Sequence, residues 1–81
     1  MSSTADLVMD VLVEVVESDE IRAYPDIRLF DQHLLDSLAT VQLLLGLSER
    51  FAIELSPAEV EREAWATPAR IAAYIERRLD T

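Results

Sequence analysis

The sequence contains no cysteine and no lysine, and its one histidine is His33. Without cysteine, neither a disulfide framework nor a thiolate metal site can form, and one histidine cannot build a histidine cluster. We therefore expect no metal site, and any cofactor chemistry must be brought in from outside the chain. All seven basic residues are arginine, which indicates the base composition of the coding DNA more than a particular chemistry.

Long hydrophobic runs and a basic N-terminal segment are also missing. The first residues, MSSTADLVMDVLVEVV, are interrupted by Asp6, Asp10 and Glu14, and no apolar run approaches the length of a membrane span. We expect no membrane insertion and a cytoplasmic protein. The length of 81 residues predicts one small domain over 1–81, whose modest core leaves little room for a deep catalytic cavity.

Basic charge is scarce relative to acidic charge. There are 16 acidic and 7 basic residues, which gives a formal net charge of −9. A field of this sign repels phosphate backbones and anionic lipid surfaces, so we expect no nucleic-acid partner. Basic protein surfaces are suitable partners, because opposite long-range fields speed encounter. The carboxylates are also expected to repel one another at neutral pH.

Hydrophobic spacing and capping signals predict an all-α fold with four helices. Each helix begins after a short polar residue that can cap it, and proline stands at the first position of the last two. The predicted helices are 4–17 with Ser3 or Thr4 as cap, 37–51 with Asp36 as cap, a short third helix after Ser56 and Pro57, and a last helix after Thr67 and Pro68 that carries Ile71, Ile75 and Leu79 on one stripe.

A long connection over 18–35 separates the first two helices. The apolar residues of this segment are not at helical spacing, and Pro25 breaks any helical pattern. Apolar residues within it are expected to hold the loop against the core; they are Ile27, Leu29, Phe30 and Leu34. Ordered loops of this length often serve function.

The second helix carries two apolar stripes. One is wide enough to seat the helix on a core, and it consists of Thr40, Leu43, Leu44, Leu47 and Phe51. The other stripe, formed by Leu38, Val41 and Leu45, lies on a different side, closer to the direction of Ser37. By spacing alone this second stripe is either further core or a contact surface.

The Asp36-Ser37 step is by itself ordinary chemistry for a helix start. Its position at a helix start favours a bound phosphate, because free backbone N–H groups and the positive end of the helix dipole stabilise a phosphate at the first turn of a helix. A phosphodiester on Ser37 would therefore be favourably placed.

The stretch LLDSLATVQLLLGLSERF resembles the prosthetic-group site of acyl and peptidyl carrier proteins. The resemblance implies that Ser37 receives 4'-phosphopantetheine from coenzyme A, in a small four-helix bundle of acyl-carrier type with a long loop between helices 1 and 2. Within the family, the chain is most similar to the stand-alone D-alanyl carrier proteins of teichoic acid D-alanylation. The residues that carry this second resemblance are LLDS..TVQLLL, Arg62, Trp65, Thr67, Pro68 and Ile71.

The family resemblance implies a carrier that makes no bonds itself. It holds an activated amino or acyl group as a thioester on the arm, as cosubstrate of a stand-alone adenylating ligase and of downstream acyltransferases, after loading by a phosphopantetheinyl transferase. Asp36 would cap the helix and help the transferase hold magnesium and coenzyme A, and Leu38, Val41 and Leu45 would dock on partners. A monomer is expected, serving either teichoic acid D-alanylation or natural-product biosynthesis.

The same residues allow two other interpretations. Asp31, His33 and Ser37 could form a hydrolase triad, but no pocket or oxyanion hole accompanies them in the sequence. An acidic helical adaptor that binds proteins without a cofactor shares the apolar stripe and the charge, so it stays an alternative. Trp65 is expected to plug the core beneath the last helix.

Overall fold

The structure is a computed structural model that describes residues 3–80. Within this range the fold is all-α, as predicted, and contains no strand. The helices are α1 (Thr4–Val16), α2 (Ser37–Phe51) and α3 (Pro68–Leu79), and the 3₁₀ helices are Asp19–Ala23 and Pro57–Glu59. The two ends of the predicted domain 1–81 lie outside the described residues.

The first helix is set by its cap. The Ser3 hydroxyl accepts a hydrogen bond from the Asp6 N–H (3.2 Å), and the Asp6 carboxylate accepts one from the Ser3 N–H (3.3 Å). This capping box satisfies donors that have no partner within the helix. At the other end, Glu17 adopts a left-handed conformation that terminates the helix.

The predicted count of four helices is not confirmed, because the described chain has three α-helices. The expected short third helix is a single 3₁₀ turn, Pro57–Glu59. Its start signal is the predicted one, since Ser56 caps it and Glu59 completes the capping box. Val60 then adopts an extended conformation. A single turn is too short to offset the entropy cost of helix nucleation. The chain instead forms a separate turn that ends at the buried Trp65.

The long loop contains a 3₁₀ helix, Asp19–Ala23, that the sequence pattern did not predict. Leu29 is fully buried, and its N–H donates to the Ala66 carbonyl (2.8 Å). The Ala69 N–H donates to the Pro25 carbonyl (3.0 Å), so the loop is joined to the start of α3. The other expected anchors, Ile27, Phe30 and Leu34, are partly buried against the core, whereas the buried Ile21 and Leu35 were not anticipated.

The core lies where the three helices meet the loop. Trp65 is fully buried, as expected, and its ring centroid lies 5.2 Å from that of Tyr74. Leu79 was expected on the core stripe but is 42% exposed, because it is the last residue of α3 and extends past the core. Gly46 marks a close approach of α2 to α1, since a Cβ atom there would lie 2.8 Å from Cγ1 of Val11.

Ion pairs join the loop to the segment before α3. The Arg28 guanidinium contacts the Asp31 carboxylate at 3.1 Å and the Glu63 carboxylate at 3.0 Å, and Arg70 contacts Glu63 at 2.8 Å. The pKa of Asp31 lies below its ordinary value, chiefly because Arg28 donates to it and also because Arg62 does. The pKa of Glu63 is lowered by its hydrogen bonds from Arg28 and Arg70.

Glu59 joins the 3₁₀ turn to α3. Its carboxylate accepts hydrogen bonds from the Ser56 N–H (2.9 Å), the Tyr74 hydroxyl (2.8 Å) and Arg78 Nε (3.1 Å). The Ser56 bond is the main reason that the pKa of Glu59 is lowered. Asp31, Glu59 and Glu63 thus shift in the direction opposite to that expected from repulsion among carboxylates.

These lowered pKa values predict destabilisation by acid. A carboxylate whose folded pKa is depressed stabilises the fold above its unfolded pKa of about 4, and this stabilisation is lost as the pH falls through the folded pKa. We expect Glu63→Gln to flatten the dependence of melting temperature on pH below about pH 5. Glu14→Gln, which removes an exposed carboxylate from α1, is the matched control. If the melting temperatures of the two variants depend equally on pH below about pH 5, the stabilising role of the Glu63 carboxylate is contradicted.

Candidate functional site

Asp36 fixes where α2 begins. Its carboxylate accepts a hydrogen bond from the Ala39 N–H (2.8 Å), and its carbonyl accepts bonds from the Thr40 N–H (2.9 Å) and the Thr40 hydroxyl (2.7 Å). Thr40 is 9% exposed, so the cap is tied to a side chain in the core. The predicted N-cap is confirmed, and it holds the next residue, Ser37, in a defined position.

Ser37 is the first residue of α2 and is exposed. Within residues 3–80 its hydroxyl makes no hydrogen bond. The cap occupies the N–H groups of Ala39 and Thr40, and in the described chain the N–H groups of Ser37 and Leu38 remain without a protein acceptor. An accessible hydroxyl is thereby placed beside free backbone donors at the positive end of a helix.

A groove of about 670 Å³ opens beside Ser37, between the loop, α2 and the 3₁₀ turn Pro57–Glu59. Its walls are largely apolar, with a few polar groups among them. The residues that line it with Ser37 include Phe30, His33, Val41, Pro57, Val60 and Arg62. This groove was not expected from the sequence, because its walls come from three separate segments of the chain.

The second apolar stripe of α2 lies on the surface. Leu38 is 69% exposed, Val41 is 44% exposed and Leu45 is 61% exposed. The other stripe is core, as expected: Thr40, Leu43, Leu44 and Leu47 are buried, and Phe51 is partly buried. The spacing alone left open whether the Leu38, Val41 and Leu45 stripe was core or contact surface, and the exposure excludes core.

The residues of the hypothetical triad do not form one. His33 lines the same groove as Ser37, with a left-handed backbone (φ 59°). Asp31 instead pairs with Arg28 at 3.1 Å and with Arg62 at 3.4 Å. A hydrolase would need that carboxylate to orient the imidazole, so the structure offers no support for a triad.

Comparison with known proteins gives a match across most of the chain. The family described as "Phosphopantetheine attachment site" matches residues 6–75. The D-alanyl carrier protein of Listeria monocytogenes serotype 4a is 45% identical over 69 residues, which cover 85% of this chain and 88% of that protein. The D-alanyl carrier protein of Staphylococcus saprophyticus is 42% identical over 71 residues, covering 88% and 91%.

A third relative is the D-alanyl carrier protein of Lacticaseibacillus casei, 41% identical over 70 residues, which cover 86% of each chain. A helical fold with an exposed serine at a helix start, together with these matches, defines a carrier protein, a class that is not itself catalytic. The chain belongs to the phosphopantetheine attachment family, so the family resemblance of the sequence is confirmed.

The cofactor of the family is 4'-phosphopantetheine, held covalently. The residues at the start of α2 fit such a group: an exposed hydroxyl can carry a phosphodiester, and free N–H groups lie next to it.

None of the helices over residues 3–80 has the length and apolar character that crossing a membrane requires.

Because Leu44 lies on the core stripe and Leu45 on the exposed stripe, substitution by alanine should affect stability very differently at these two positions. We expect Leu44→Ala to lower the free energy of unfolding by about 2–5 kcal/mol, because it opens a cavity in the core. Leu45→Ala should change it by no more than about 0.5 kcal/mol, because that side chain faces solvent. Chemical denaturation followed by circular dichroism measures both values. A large loss for Leu45→Ala would mean that the stripe is packed.

Proposed function

We propose that Ser37 carries the 4'-phosphopantetheine arm and that the protein presents an activated amino acid on it as a thioester. The observation that carries this proposal is the position of Ser37, exposed at the first residue of α2 and beside the groove. The family match across residues 6–75 supports it. We also infer that residues 1–81 form one carrier domain, which acts as a monomer.

The local electrostatics favour a phosphodiester at Ser37. The N–H groups of Ser37 and Leu38 are available to phosphate oxygens, and the dipole of a 15-residue helix adds a partial positive charge. In a protein with a net charge of −9, this helix end offsets part of the repulsion that a phosphate meets. Asp36 holds the end of the helix in place through its bond to Ala39.

Attachment is a transfer that a separate phosphopantetheinyl transferase catalyses. The Ser37 oxygen forms a bond to phosphorus, the pyrophosphate bond of coenzyme A breaks, and adenosine 3',5'-bisphosphate leaves. The hydroxyl proton passes to a base of the transferase. Asp36, whose carboxylate is exposed next to Ser37, would help the transferase hold magnesium and coenzyme A.

The bound arm supplies a thiol, on which a carboxylic acid becomes an activated thioester. A tethered cargo also reaches several active sites at high effective concentration. We propose that a stand-alone adenylating ligase loads the carrier and that a downstream acyltransferase unloads it. Coenzyme A is an intracellular donor, which supports action in the cytoplasm.

The proposed cargo is D-alanine, as the names of the relatives indicate. Another amino acid, for natural-product biosynthesis, is the second candidate. The chain has arginine but no lysine, which indicates GC-rich coding DNA, whereas teichoic acid D-alanylation is chiefly associated with low-GC bacteria. The intact mass of the carrier purified from its native cells separates the two, because the mass added beyond the arm identifies the acyl group.

Loading in vitro tests the attachment residue. We expect incubation with coenzyme A, magnesium and a promiscuous phosphopantetheinyl transferase to add the mass of one phosphopantetheine. Ser37→Ala should abolish the gain, and Ser48→Ala, on the same helix, should keep it. Absence of any gain in the wild type would refute the proposal and favour a cofactor-free adaptor.

We further propose that Leu38, Val41 and Leu45 dock on partner enzymes. The interface should be small and transient, because a carrier must leave each partner in turn. We expect Leu45→Arg to lower kcat/KM for aminoacylation by the cognate ligase by about tenfold, a loss typical of one interface anchor. Arg50→Ala, near the far end of α2, is the control. A normal kcat/KM for Leu45→Arg would exclude this stripe as the ligase contact.

A further inference from the structure

We propose that the groove beside Ser37 is a resting site for the phosphopantetheine arm and that Arg62 binds its phosphodiester there. The inference rests on attachment at Ser37. It adds a ligand contact from a part of the chain remote in sequence from the attachment residue. The groove has a volume of about 670 Å³, within the usual range for small-molecule sites.

The lining of the groove suits both halves of the arm. Phe30, Val41 and Val60 offer apolar walls to the methyl and methylene groups of pantetheine. The rest of the lining includes polar side chains. Among the described residues that line the groove, Arg62 is the one with a permanent positive charge.

Arg62 is held loosely enough to bind an anion. Its Nη2 atom lies 3.4 Å from a carboxylate oxygen of Asp31, and the Arg62 side chain is 69% exposed. Asp31 already receives Arg28 at 3.1 Å, so the Asp31 carboxylate keeps a partner if Arg62 turns away. A guanidinium has five N–H donors in a fork that matches phosphate oxygens, and most of those of Arg62 are unused.

Phe30 places the guanidinium at the groove. The central carbon of the Arg62 guanidinium lies 5.2 Å from the centroid of the Phe30 ring, within the range of a cation–π contact. Such stacking leaves the edge of the guanidinium free to donate hydrogen bonds. Phe30 therefore orients Arg62 without consuming its donors.

Because the protein is strongly acidic, the positive charge of Arg62 affects where the phosphodiester and its arm can lie. A phosphodiester at Ser37 lies next to the Asp36 carboxylate and on a chain of net charge −9. Without a nearby cation, repulsion would favour an arm extended into solvent. Arg62 supplies the opposite charge on the groove side, which favours an arm that lies along the groove.

The test compares apo- and holo-protein by ¹H–¹⁵N NMR for the wild type, Arg62→Gln and Arg50→Gln. Arg50→Gln removes the same charge from the far end of α2, about 20 Å along the helix from Ser37. The chain has no cysteine, so one titratable thiol per molecule confirms complete conversion to holo-protein.

In the wild type and in Arg50→Gln, we expect conversion to shift the amide signals of Phe30, Val41 and Val60. In Arg62→Gln, these shifts should fall by about half or more, because the charge-assisted contact is lost. Shifts confined to the immediate neighbours of Ser37 would overturn the groove as a resting site. Full shifts in Arg62→Gln would overturn the role of Arg62.

A salt series on the wild type tests the same contact without any variant. Raising the salt concentration from about 0.02 M to about 0.5 M should shrink the holo-minus-apo shifts at Val60, because screening weakens an exposed ion pair. Salt-independent shifts would contradict the ion pair. Failure to load Ser37 at all would be seen first by mass, so it is distinguishable from a loaded arm that avoids the groove.

Discussion

The hydrogen bonds of Asp36 at the start of α2 determine where the helix begins, and every feature of the candidate site depends on that register. If the chain slipped by one residue at this cap, each side chain of α2 would be rotated by about 100° about the helix axis. Leu43 and Leu44 would then no longer face the core together, and Leu45 would no longer lie on the exposed side. The tie from the Asp36 carbonyl to the buried Thr40 anchors this register in the core.

The groove depends on a second constraint, the attachment of the loop and of the segment before α3 to each other. Backbone bonds from Leu29 to Ala66 and from Ala69 to Pro25 set the spacing, and Arg28 adds ion pairs to Asp31 and Glu63. Among these contacts, the ion pairs are exposed, so each of them contributes little stability alone. Together they keep Phe30 and Arg62 on the side of the molecule that carries Ser37.

The acidity of the chain has two consequences that act in different places. Over long distances, the excess of carboxylates favours basic partner surfaces and speeds encounter without requiring tight binding. Locally, Asp31, Glu59 and Glu63 are used as hydrogen-bond acceptors that hold irregular segments to the fold. Their lowered pKa values reflect these bonds, so part of the negative charge stabilises the structure.

Local signals in the sequence determined the start of each α-helix and of the 3₁₀ turn Pro57–Glu59, because caps act over three or four residues. Asp36, Ser56 and Thr67 cap as predicted, and of the two alternatives for the first helix, Ser3 or Thr4, the cap is Ser3. The carrier family follows from the motif around Ser37. Only the tertiary structure decided that the segment after Pro57 stops at one turn, that Leu79 extends past the core and that Leu38, Val41 and Leu45 are exposed. The groove, and the position of Arg62 in its lining, were also decided only by the tertiary structure. Each of these depends on what packs opposite a residue, and segments remote in sequence supply that surface.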